Sequence, residues 1–129
     1  MKFTIDFSKW RCGFKDVNKL GEGSTYLWNL RGYGCCLGHF GLCLGISEDS
    51  MLGAGSPMEL GPQSRERFTK VLSVQNVVNL IQANDDETII TEEGPVQSPT
   101  TQQRLKVIES ILEKRGHTLE VTNKEPVIE

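Results

Sequence analysis

The sequence has no basic block, no Cys-x-x-Cys pair and no apolar run long enough to cross a bilayer. Each absence removes a class of function. The 14 basic side chains are scattered among 17 acidic ones over 129 residues, so an extended nucleic-acid surface is not expected. The most apolar segment is short and broken by glycine, which excludes a helical membrane span. Met1 to Asp6 reads as a strand and lacks the pattern of a signal peptide. Cys35 and Cys36 are adjacent, and all four cysteines fall in the first third of the chain. That is not the spacing of a secreted disulfide scaffold, and reduced thiols in a cytoplasm are expected. No internal repeat or low-complexity tract is present.

What is there is concentrated between Gly32 and Gly45, which holds three of the four cysteines and one of the two histidines. The spacing predicts a helix over residues 34–45. On it Gly38, Gly41 and Gly45 fall within about 60° of one another. Each glycine costs about 1 kcal/mol in a helix, so this stripe implies a close neighbour that leaves no room for a Cβ. Cys35, Cys36, His39, Phe40 and Cys43 take the other side.

Around this stretch the periodicity predicts a half-buried strand over Lys2 to Phe7 and a connection from Ser8 to Gly23. A second strand is expected over Ser24 to Leu30, with Trp28 packed inside the sheet. Ser47 to Gly61 reads as a surface loop, in which Ser56 and Pro57 open a single helical turn. A helix from Arg65 to Gln82 is expected to face the core with Val71, Val74, Val78 and Ile81. Asn84-Asp85-Asp86 ends it as a turn, with Asn84 suited to a left-handed conformation. Thr91 to Gln97 reads as a polar loop. Ser98-Pro99 opens the clearest helix, which runs to Arg115 with Leu105, Ile108 and Leu112 on one face. Gly116 stops it, and Leu119 and Val121 mark a closing strand. The expected fold is α+β: a small, mainly antiparallel sheet with about three helices, as one domain over 1–129 with a flexible tail over 122–129.

Several residue sets could carry chemistry. Cys35, His39 and Cys43 stand at i, i+4, i+8, but that run spans about 12 Å of helix, too far for one zinc ion. No metal or cofactor is expected. Cys35 or Cys36 at a helix N-terminus, with His39 or His117 as base, would make a nucleophile. No family signature surrounds them, and buried cysteine also serves as a small hydrophobe. The amides of Gly32, Tyr33, Gly34 and Cys35 could hold a phosphate, with Arg11 and Arg31 adding charge. Leu20 to Ser24 is a loose match to a kinase glycine loop and reads better as turn chemistry. Trp10 or Tyr33 could stack on a base or anchor a partner. Asn84 and Asp85 could accept hydrogen bonds from a ligand.

Trp10-Arg11-Cys12-Gly13, Asn18 through Thr25, Asn29 with Cys35-Cys36-Leu37-Gly38, and Asn84-Asp85-Asp86 together resemble the pattern of a group of small uncharacterised bacteriophage proteins. The resemblance implies expression in an infected host cytoplasm from an accessory gene. It points to a non-enzymatic binding protein, as a single chain or a homo-oligomer, that occupies a host protein or sequesters a nucleotide-like signal as a counter-defence factor. The alternative is a small thiol- or metal-dependent enzyme using Cys35, Cys36 and His39.

Overall fold

The computed structural model describes residues 1–13 and 26–124. The expected strand residues Ser24 and Thr25, and the glycine turn Leu20 to Ser24, lie outside the described residues. In chain order the elements are β1 (Lys2–Asp6), α1 (Cys36–Cys43), α2 (Glu48–Met51), a 3-10 turn (Pro57–Glu59), α3 (Pro62–Leu72), α4 (Val74–Asp85), β2 (Thr88–Thr91), β3 (Gly94–Gln97), α5 (Thr101–Glu113) and β4 (Thr118–Thr122). The α+β class is as expected, with five α-helices among the described residues where about three were anticipated.

The sheet differs from expectation. β1 pairs with β4 in parallel, and β2 with β3 as an antiparallel hairpin. Alternation along a strand fixes which face is buried but carries no partner and no direction. Phe3 and Ile5 stand opposite Leu119 and Val121 and plunge from the sheet into the core. The hairpin occupies the stretch read as a polar loop. Thr91 builds its turn, accepting from Glu93 N at 3.2 Å and donating to Gly94 O at 2.9 Å.

The expected strand ending at Leu30 is irregular from Tyr26 onward, apart from one isolated bridge between Trp28 and Leu52. Trp28 is therefore a core residue and not a sheet residue. The loop from Ser47 to Gly61 contains α2 and the 3-10 turn, each capped by a serine: Ser47 accepts from Ser50 N and Ser56 from Met58 N.

The single helix over 65–82 is two helices. Ser73 takes φ 74° and breaks it, and its side chain caps α4 by accepting from Asn76 N. The break resets the helical phase. Phe68, Leu72, Val77 and Leu80 are buried, while Val74 and Val78 are 56% and 40% exposed. α5 begins later than expected, at a capping box between Thr100 and Gln103, and buries Leu105, Ile108 and Leu112 as anticipated. Gly116, at φ 79°, ends the last turn.

α1 sits at the centre. Gly38 lies against the Leu27 backbone and the Trp28 indole, where a Cβ would strike the Leu27 carbonyl. Gly41 meets the Met51 and Phe68 side chains rather than a backbone. Gly45 faces only Arg67, and its φ of 81° is what requires glycine.

Candidate functional site

Asn84 organises the region where the sequence placed its candidates. It lies in the last turn of α4, with helical backbone and not the left-handed turn expected. Its Oδ1 accepts from Trp10 Nε1 at 2.7 Å and from Cys36 N at 3.0 Å. Its Nδ2 donates to Arg11 O at 3.1 Å and to Asp85 Oδ1 at 2.8 Å. Its backbone carbonyl accepts from Gly13 N. One buried amide thus ties the 10–13 segment, the start of α1 and the end of α4 together. Trp10, expected to present an exposed ring, is 5% exposed and held inside by this bond.

The same bond closes the start of α1. A helix N-terminus attracts anions because its first amides lack partners. Here Cys35, the N-cap, gives no side-chain capping bond, and the Asn84 side-chain Oδ1 takes the Cys36 amide instead. The amides expected to cradle phosphate are also committed. Gly32 N donates to Asn29 O, Tyr33 N to Asn29 Oδ1, Gly34 N to Lys9 O and Cys35 N to Tyr26 O. They build the local fold and do not form a phosphate cradle. Arg11 lies over the Tyr33 ring, 3.7 Å from its centroid, so the stacking face of Tyr33 is already covered by a cation. Arg31 is exposed.

The Cys35 and Cys36 thiols are held in their protonated form. Burial pushes Cys35 up to about 12, with the Asp85 charge adding to it. Cys36 is raised well above its ordinary value, first by burial and then by the neighbouring Cys35 and Asp85. Its Sγ contacts Leu80 O at 3.7 Å. His39 is buried and lowered to about 4 by desolvation. Its Nδ1 accepts from Asp6 N at 3.2 Å, and its ring packs 4.8 Å from Trp28. His117 packs against Phe3, with ring centroids 5.3 Å apart. Among the described residues no thiol–imidazole hydrogen bond is present, and no three His, Cys, Asp or Glu side chains converge to hold a metal ion. A nucleophile needs the opposite arrangement, a thiolate favoured by a cation and an exposed path. Asp85 itself is raised to about 6 by burial, against the lowering effects of Asn84 and Arg104.

The surface beside this hub is different in kind. Asn29 fixes a tight loop: its Oδ1 accepts from Arg31 N at 2.9 Å and Tyr33 N at 3.1 Å, and its backbone N donates to Tyr33 O at 2.8 Å. At the tip Leu30 is 90% exposed. The adjoining segments are tied together, Leu27 N donating to Ala54 O and Gly53 N to Trp28 O. They carry Tyr26 and Leu52, both exposed.

Two grooves run along α5, one against β4 and one against the β2–β3 turn, with Gln103 and Lys106 lining both. None of the candidate site residues read from the sequence lines either. The signal that could have found the first was present: Leu119 and Val121 alternate along the expected last strand, which puts both apolar side chains on one face. No helix among the described residues is long and apolar enough to cross a membrane. No family model matches the chain, and no match was found among the curated proteins or the solved structures.

Proposed function

We propose that the chain is a non-enzymatic binding protein that engages a protein partner through the Asn29–Tyr33 loop. The observation that carries this reading is Leu30, 90% exposed on a loop fixed by its own hydrogen bonds. A large apolar side chain held out by a rigid loop loses little entropy on docking, which is how an interface anchor works. Arg31 beside it supplies a residue type enriched at interfaces. The resemblance to small phage proteins supplies the context, a host protein in an infected bacterial cytoplasm and a counter-defence role. The nucleotide-sequestering version draws less support, because the amides it would use are occupied. The thiol- or metal-dependent alternative draws none from the buried, protonated Cys35 and Cys36.

The test is site-specific. A photo-crosslinking amino acid is placed at position 30, or at exposed Glu113 as a control, in a bacterial host. The reading predicts a discrete adduct from position 30, absent from the control, that the Cys35→Ser, Cys36→Ser double variant leaves intact. No adduct, or the same adducts from both positions, contradicts it.

A further inference from the structure

Among the described residues the outer edge of β4 has no strand paired to it. Thr118 N donates to Met1 O, and Phe7 N to Thr122 O. In a parallel pair this turns the N–H and C=O groups of Leu119 and Val121 away from β1. Among the described residues nothing bonds to them. On the far edge of β1 the Asp6 end is in use: Asp6 N is taken by His39 Nδ1, and Lys9 N donates to Asp6 O.

Beside the open edge lies a groove of about 420 Å³ between β4 and α5. Leu105, Leu119 and Val121 form its apolar part, and Lys106, Glu109 and Lys124 its charged rim. Phe3 and Ile5 are fully buried, whereas their register partners Leu119 and Val121 are only half-buried. The core face of the sheet is therefore uncovered on the side where a third strand would lie. Unpaired donors and acceptors in a row select an extended backbone. The groove selects alternate apolar side chains, and two lysines against one glutamate select acidic flanks.

We propose that this edge captures an extended, acidic-flanked segment of a partner protein as a third strand. The surface is separate from the Leu30 loop and does not depend on it.

The experiment pans a display library of random peptides, each about seven residues long, on the full chain. Enriched peptides are expected to alternate apolar residues and to carry Asp or Glu at a flank. Val121→Pro removes an outward N–H that the β1–β4 ladder does not use. It is expected to weaken binding at least about tenfold, the scale of one or two lost edge hydrogen bonds. The Lys106→Glu, Lys124→Glu double variant changes only exposed positions and is expected to reverse the preference for acidic flanks. It carries the test if Val121→Pro fails to fold. The proposal is overturned by no enrichment, or by binding that neither variant alters. It is also overturned if a native mass spectrum shows a dimer that Val121→Pro dissociates, which would give the edge to a second copy. Binding that appears only in a chain shortened to Lys124 would give it to the chain's own terminus and overturns it equally.

Discussion

Asn84 has no exposed surface and spends every polar group of its side chain on the fold. Asn84→Ala leaves the Trp10 indole N–H and the Cys36 amide buried without partners. At roughly 1–3 kcal/mol for each unsatisfied group, the variant should lose about 2–6 kcal/mol in urea unfolding, and a loss under about 1 kcal/mol would refute the hub. Gly38 makes a second case, because a Cβ there strikes the backbone of Leu27, which cannot swing aside. Gly38→Ala should cost about 3 kcal/mol or more, whereas Gly61→Ala, with open space around it, should cost less than about 1 kcal/mol. The close approach at Gly38 and Gly41 was legible because a repeated cost in a helix demands a reason, whereas Gly45 lies past the helix end and is required by its positive φ. The role of Asn84 was not. Its partners Cys36 and Trp10 lie 48 and 74 positions away in sequence, and an Asn-Asp-Asp run looks like an ordinary turn. Trp10 was misread for the same reason, since its segment gives no sign of the acceptor that draws the ring inside.

At the scale of elements, Ser73 divides two helices without a glycine or proline to announce it. It holds a left-handed φ of 74° while its hydroxyl accepts from Asn76 N at 3.2 Å. Ser73→Ala keeps the backbone strain and loses the cap, so it should cost about 1 kcal/mol. Ser73→Gly loses the cap but relieves the strain and should be near neutral; an equal cost for both would show that strain is not stored there. The break explains why Val74 and Val78, apparent core residues in one unbroken helix, face outward. α5 and Gly116 were legible because helix caps and periodicity are local signals. The parallel β1–β4 pair was not, because it joins residues more than a hundred positions apart. The β2–β3 hairpin was hidden by Pro95 and the polar Glu92-Glu93 turn.

At the scale of the whole molecule, the buried titratable groups oppose one another. Burial raises Asp85 from 3.8 to about 6 and lowers His39 from 6.5 to about 4. For Asp85 the folded state holds its proton more tightly, so its stabilisation is full below the unfolded pKa and is lost as pH rises through about 6. For His39 the unfolded state holds the proton more tightly, so stability is lost as pH falls from 6.5 toward about 4. Asp6, held below 3.8 first by its Ser8 hydrogen bond, acts only at lower pH. Shifts of this size are each worth roughly 3 kcal/mol, so between pH 4 and 6 they nearly cancel. Urea midpoints should be almost flat across that window in the natural chain. They should rise with pH in Asp85→Asn and fall with pH in His39→Gln; matching slopes in the two variants would show that the two groups are not opposed. The central claim is that the thiols and imidazole of α1 build the interior and that function lies on the surface. Labelling of the native chain with a thiol reagent at neutral pH tests it most directly. The account predicts that half-buried Cys43 reacts quickly while Cys12, Cys35 and Cys36, all buried, react only as fast as the chain unfolds. Rapid modification of Cys35 or Cys36 in the folded state would reveal an accessible thiolate and contradict it.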